Sequence, residues 1–103
     1  MSKKNEKKIY FTLTGMQYYQ GQSFLKTGMK VELVKEPDNP YDREAILVKM
    51  EGLGDIGHVA NSTRTVRGES YSAGRIYDLF KKKAIGKVKF VLDCGAICEL
   101  KLK

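Results

Sequence analysis

A chain of 103 residues, of which 42% are hydrophobic, can bury one core and is too short for two domains. Its formal net charge of +7 favours a polyanionic partner such as nucleic acid over an acidic membrane surface, although charge alone selects no function. No apolar run is long enough to cross a bilayer, and no membrane partner is expected.

In chain order, the polar, lysine-rich residues 1–8 predict a disordered basic tail, and a single domain is expected over residues 9–103. Apolar side chains then recur at every second position in six short segments, the period of a half-buried strand. The predicted strands cover residues 9–13, 29–33, 46–50, 55–59, 87–92 and 96–102. In the fifth, Val88, Phe90 and Leu92 share one face. The fold class is therefore mainly β with one or two helices, forming a small six-stranded barrel.

One helix is predicted between the fourth and fifth strands. The apolar residues at positions 73, 76, 77 and 80 recur with the spacing of one helical face, after Ser70 or Ser72 as cap and before Gly86 as terminator. Lys81 to Lys83 would then lie at the end of the helix, where cations complement its dipole. Gly74 costs about 1 kcal/mol relative to alanine, so either the helix begins after it or its backbone approaches another group closely.

The two cysteines, Cys94 and Cys98, are four residues apart, and four extended residues span roughly 13 Å. That distance is too great for a disulfide unless the chain folds back. His58 is the only histidine, so one chain cannot supply a Cys/His tetrad for zinc. We therefore predict reduced, mostly buried thiols, with no metal and no cofactor. The N-terminal residues also lack the apolar centre of a secretory signal, and together these features indicate a cytoplasmic protein.

The loop between the second and third strands combines turn-forming and polar residues. Pro37 and Pro40 fix their own φ and hold the preceding residues extended, which predicts a stiff loop. Asn39, Tyr41 and Asp42 are therefore expected to be presented to a ligand rather than packed. The alternative is that Asn39 and Asp42 form Asx turns with their own backbone.

A second candidate loop follows the first strand and is bounded by Gly15 and Gly21. The adjacent residues Tyr18 and Tyr19 cannot both enter the same core, so at least one is expected to be exposed. An exposed aromatic ring beside a basic surface can stack on an unpaired base. The alternative is that one tyrosine buries its ring and donates its hydroxyl locally.

Residues 36–48 read Glu-Pro-Asp-Asn-Pro-Tyr-Asp-Arg-Glu-Ala-Ile-Leu-Val and are followed by Ile56-Gly57-His58, a combination that resembles the HIRAN domain family. The resemblance runs from about Phe11 to about Leu102, and residues 72–78 are further similar to stand-alone bacterial members. It implies a modified OB-like barrel, which in SNF2-type helicase proteins holds the 3′ end of single-stranded DNA. Helicase-attached relatives carry an arginine where this chain has Gln17, so one charge-assisted contact to phosphate would be missing here.

The resemblance implies a binding module for single-stranded DNA that recognises the 3′-hydroxyl end. Asp42, a carboxylate that phosphate repels, would accept a hydrogen bond from the terminal hydroxyl. Tyr41 would support the base or sugar, and Asn39 would bond a base edge or the adjacent backbone. His58 would donate to a phosphate oxygen or bond a base. The predicted DNA-binding site comprises Gln17, Tyr18, Tyr19, Asn39, Tyr41, Asp42 and His58.

Other functions remain open on the same scaffold. A protein-interaction module would use Tyr18, Tyr19 and the lysine-rich face for another polypeptide, such as a DNA repair or replication protein. Electrostatic binding of DNA without end preference is also compatible with Gln17. A small hydrolase would be built around His58 and Asp42. No phosphate loop, nucleotide fingerprint or nuclease-like carboxylate cluster occurs, so we do not expect an enzyme.

Overall fold

A computed structural model describes residues 8–19, 21, 23–62, 65–66, 68 and 70–102. The strands of this part of the chain are β1 (Ile9–Thr14), β2 (Lys30–Lys35), β3 (Ile46–Met50), β4 (Gly54–Val59), β5 (Lys83–Leu92) and β6 (Gly95–Lys101). They form a closed barrel in the order β1-β4-β3-β2-β5-β6, with every neighbouring pair antiparallel. The predicted six-stranded, mainly β barrel is confirmed. The predicted tail, apart from Lys8, lies outside the described residues.

The barrel interior holds the apolar residues that alternate along the strands. On β1 and β2, for example, Phe11, Leu13, Val31 and Leu33 are completely buried. Burying a side chain of this size contributes about 1.5–3 kcal/mol, so the inward faces supply most of the stability of this small fold. The remaining buried members of the core cluster on the strands are Ile46, Val48, Ile56, Val59, Val88, Ala96, Cys98 and Leu100.

A β-bulge interrupts this alternation on β5. Val88 pairs with Cys98, whereas Phe90 pairs with Ile97, and the register shifts between Val88 and Phe90. A bulge adds one residue to a strand and reverses the side-chain alternation beyond it. Phe90 is consequently 61% exposed, and the prediction that it shares the face of the buried Val88 is wrong.

The helix is shorter than its apolar spacing predicts. It comprises one turn, α1 (Ala73–Ile76), followed by a 3₁₀ turn at Tyr77–Leu79, and Phe80 is already extended. The predicted cap is Ser72, whose Oγ accepts a hydrogen bond from the backbone N–H of Arg75 at 3.3 Å. Ala73 and Ile76 are completely buried in the barrel core. None of the helices in the described ranges is long and apolar enough to span a membrane.

Strand pairing accounts for the early end of the helix. β5 begins at Lys83, which pairs with Val34, so neither Lys81 to Lys83 nor Gly86 has the predicted role at a helix end. Gly86 lies inside β5, where a Cβ atom would approach the Phe11 ring at 3.1 Å. A side chain at this position would require Phe11 or Val31 to shift, because the backbone packs closely on the core. The inter-strand hydrogen bonds of β5 override the local helical pattern.

The two thiols differ in environment. Cys98 is completely buried in β6, as predicted, but Cys94 lies in the turn before β6 and is exposed, so the expectation of burial is wrong for Cys94. Burial raises the pKa of the Cys98 thiol from 9.0 to about 12. Its charged form is disfavoured because the surrounding core cannot solvate a thiolate.

Cys98 should therefore resist alkylation in the folded protein while Cys94 reacts, because the thiolate is the attacking species. Iodoacetamide labelling at about pH 8 should modify one cysteine of the native chain and both after denaturation, as read by mass spectrometry.

Cys98 ionises more readily in the unfolded chain than in the folded protein, so its contribution to stability is complete below pH 9 and is lost as the pH rises towards 12. Cys98→Ala should remove this part of the alkaline destabilisation, and rapid labelling of native Cys98 would contradict its burial.

Candidate nucleic-acid interface

The loop between β2 and β3 is held by its own side chains. Asn39 Oδ1 accepts hydrogen bonds from the backbone N–H groups of Tyr41 at 2.8 Å and Asp42 at 3.1 Å. Asp42 Oδ1 accepts from the backbone N–H of Glu44 at 2.9 Å. These are the Asx turns considered from the sequence, and with Pro37 and Pro40 they make the loop stiff.

His58 extends this set of bonds onto the barrel wall. It lies on β4 opposite Leu47 of β3, and its Nε2 donates to Glu36 Oε1 at 2.9 Å. The same Glu36 oxygen accepts from Asn39 Nδ2 at 3.3 Å. The Tyr19 ring lies beside the imidazole, with centroids 6.0 Å apart and planes tilted by 43°. Tyr19, His58, Glu36 and Asn39 therefore form a connected surface group.

Asn61 anchors the other end of the loop. Its Nδ2 donates to Asp42 Oδ2 at 2.9 Å, and its Oδ1 accepts from the backbone N–H of Gly74 at 2.7 Å. A Cβ atom on Gly74 would stand only 2.5 Å from Glu44 Oε1, which confirms that the backbone of Gly74 approaches another group closely. The two hydrogen bonds of Asn61 thus connect the loop, the end of β4 and α1.

Two tyrosine rings near this hydrogen-bonded network are exposed to solvent. Tyr41 is 95% exposed although its backbone is fixed by Asn39, and Tyr18 is 79% exposed in the 3₁₀ turn Met16–Tyr18. Tyr19 is less exposed than Tyr18, which agrees with the expectation that the two tyrosines do not bury together. Within the described residues, no side-chain hydrogen bond or ring contact joins Gln17 or Tyr18 to the network.

The loop carries an excess of negative charge. Glu36, Asp38, Asp42 and Glu44 are acidic, and Arg43 is the one basic residue between positions 36 and 45. Partial burial raises the pKa of the Tyr19 phenol, and the charges of Glu36 and Asp55 raise it further. The phenol consequently keeps its proton as a donor. This environment suits neutral hydrogen-bond donors and repels phosphate.

Glu36 and Asn61 are site residues that the sequence interpretation missed. From the sequence, Glu36 is expected only to be extended before Pro37, and no role is predicted for Asn61. The position of Asn61 two residues after β4 was the available signal, because residues at strand ends often carry side chains into adjoining loops. Among the described residues, no three or more histidine, cysteine or carboxylate groups cluster closely enough to hold a metal ion.

Fold and surface together define a small closed β-barrel with a polar site flanked by exposed aromatic rings. The chain matches the HIRAN domain family over residues 7–85 and belongs to that family. Its structure resembles the crystal structure of the HIRAN domain of human HLTF with a TM-score of 0.60 and 22% sequence identity, covering 90% of this chain and 74% of that chain. At that identity the likeness establishes the fold. No curated protein matches the chain.

Asn61→Asp should lower the free energy of unfolding by about 1–3 kcal/mol, because it removes the donor to Asp42 and places two carboxylates together. The substitution keeps an oxygen for the Gly74 N–H, so it isolates the contact with Asp42. Chemical denaturation would measure the loss, with Ser62→Ala at the adjacent exposed position as control. Unchanged stability would show that the bond does not hold the loop.

Proposed function

We propose that this HIRAN domain is a binding module for single-stranded DNA and receives the 3′-hydroxyl end at the loop formed by residues 36–45. The observation that supports the proposal best is the hydrogen-bonded group that fixes the Asp42 carboxylate and the His58 imidazole beside exposed tyrosines. Groups held in this way lose little freedom when a ligand binds, and that lowers the cost of recognition. The proposed role is binding without catalysis.

Asp42 can serve the loop and a ligand at the same time. A carboxylate offers about four lone-pair positions, and protein donors occupy one on each oxygen of Asp42. A terminal hydroxyl would donate to a remaining position. The Asx turn and the end-binding role are therefore compatible, because the turn orients the carboxylate that accepts the hydroxyl.

The acidic character of the loop supports a hydroxyl rather than a phosphate as the recognised terminal group. A 3′ phosphate would stand against Asp42 and Glu36, with only Arg43 to compensate within the loop. A neutral hydroxyl has no such repulsion. The lysines that could neutralise phosphates of the preceding nucleotides lie elsewhere on the barrel, for example Lys30 and Lys87, which pair across β2 and β5.

The aromatic residues supply contacts that do not depend on base identity. Tyr18 and Tyr41 present their rings to solvent, and every base has a face that can stack on such a ring. Gln17, adjacent to Tyr18, can bond a phosphate or base as a neutral group but cannot supply the charge that an arginine would. The proposal therefore predicts modest affinity, with end preference arising in the loop.

A 3′ phosphate should weaken binding of a short single-stranded oligonucleotide by at least roughly tenfold, because it removes the donor to Asp42 and adds charge repulsion. Fluorescence anisotropy with free and phosphorylated 3′ ends would measure the ratio. Asp42→Asn should reduce the preference, since it removes the repelling charge and keeps one acceptor oxygen. Asp93→Ala, at an exposed carboxylate in the turn before β6, should leave the preference intact.

Equal affinity of the wild-type protein for the two ends would refute end recognition. Because Asp42 also holds the loop, thermal unfolding of each variant is needed to confirm that it remains folded. A folded Asp42→Asn protein that keeps the full preference would show that another group recognises the hydroxyl.

Tyr18→Ala should weaken binding of both oligonucleotides equally, by about 1–3 kcal/mol for one stacked base. The ring is too exposed to support the fold, so stability should not change. Phe90→Ala removes an aromatic ring of similar exposure from β5, outside the proposed site, and serves as the matched control. If both substitutions had the same effect, or neither had any, stacking on Tyr18 would not be part of the mechanism.

A further inference from the structure

A groove of about 800 Å³ lies on the outer surface of the barrel, and none of the residues of the DNA site proposed above lines it. It is bounded by the 3₁₀ turn after α1, by the start of β5 and by the C-terminal end of β6. The strand order places β4, which carries His58, three strands from β5 in either direction around the closed barrel. His58 and the groove therefore lie on different walls of the barrel, although Lys83 at the groove rim pairs with Val34, two residues before the loop of residues 36–45 begins.

Aliphatic side chains line the groove. Ile85 is central, because it pairs with Glu32 of β2 on one side and with Lys101 of β6 on the other. Leu79 and Leu102 are 42% and 45% exposed at its edges. Exposed apolar side chains gathered in a concave surface with a polar rim are typical of an interaction site rather than of solvated surface.

Three lysines surround this apolar floor: Lys81, Lys83 and Lys101. Across the part of the chain that the structure describes, neither Lys81 nor Lys83 has a carboxylate within 4.0 Å. Lys101 is engaged by the buried Glu99, with Nζ 3.3 Å from Oε1. Glu32 is the single acidic residue among those lining the groove. The rim is therefore positively charged and has unneutralised ammonium groups.

We propose that this groove docks an acidic peptide segment of a partner protein, with an aliphatic side chain over Ile85 and carboxylates against Lys81 and Lys83. The positive charge of the rim favours an anionic partner, and the aliphatic floor favours a peptide side chain over a nucleic-acid base. Unpaired bases bind by stacking on aromatic rings, whereas the residues on this floor are aliphatic. A leucine or isoleucine side chain buries well against such a surface.

Closure of the barrel further restricts how the peptide can bind. A peptide adds to a sheet as an extra strand only where an edge has free N–H and C=O groups. Every described strand has a neighbour on both sides, and at the groove only residues 83 and 84 of β5 have no partner on β6, so the peptide is recognised mainly through its side chains. The requirement for aliphatic and acidic side chains in the same short segment follows from this.

Selection of short random peptides displayed on phage, with the wild-type domain as target, tests the proposal directly. The enriched sequences should combine aspartate or glutamate with leucine or isoleucine. A fluorescein-labelled copy of the most enriched peptide should then lose at least roughly tenfold in affinity for the Lys81→Glu/Lys83→Glu variant. Lys26→Glu/Lys30→Glu makes the same charge change at exposed lysines outside the groove and should lose much less.

Two further measurements separate this proposal from the DNA proposal. Tyr18→Ala and a saturating 3′-hydroxyl oligonucleotide should leave peptide binding unchanged, whether or not the domain recognises DNA ends. The inference is overturned if selection enriches no acidic and aliphatic sequence, or if both lysine variants weaken the peptide equally. It is also overturned if the oligonucleotide displaces the peptide and itself fails to bind Lys81→Glu/Lys83→Glu, which would assign the groove to nucleic acid.

Discussion

Pairing of β1 with β4 on one side and β6 on the other closes the barrel, and both proposed surfaces depend on this closure. The described strands each pair with a neighbour on both sides, so the paired backbone groups are satisfied inside the sheet and are not available to a ligand. Recognition is left to outward side chains and to loops. Inward positions are filled by the core, whereas His58 and Ile85 stand on different outer walls. One small domain can therefore present two surfaces of different chemistry.

In the proposed DNA site, structural and binding roles would fall on the same loop residues. Asn39 and Asp42 hold their own backbone, and Asn61 joins the carboxylate of Asp42 to α1. The two roles do not exclude each other, because a carboxylate has enough acceptor positions to bond its own loop and a ligand at the same time. The turn orients the carboxylate, and its unused lone pairs would make the proposed contact. Damage to the network should therefore affect stability and binding together, whereas loss of an exposed ring affects binding alone.

Charge divides the surface more sharply than the total of +7 suggests. The loop is acidic and carries the hydrogen-bonded polar group, while β2, β5 and β6 carry outward lysines such as Lys30, Lys83 and Lys87. Like charges that face each other across a strand pair, as Lys30 and Lys87 do, destabilise the sheet slightly. An anionic group bound at this pair would relieve that repulsion. The acidic loop and the basic wall therefore favour different groups of a ligand or different ligands.

The sequence by itself determined the barrel, because alternation in residues such as Phe11, Leu13, Val31 and Leu33 specifies strands with one buried face. It also determined the stiff loop, since proline and Asx chemistry act locally. Only the tertiary structure decided where the helix ends, because β5 gains its pairing with Val34 at the expense of further helical turns. It alone placed Phe90 outside through a bulge, and joined Glu36 to His58 and Asn61 to Gly74. Those outcomes depend on pairing and hydrogen bonds between residues distant along the chain, which no local pattern encodes.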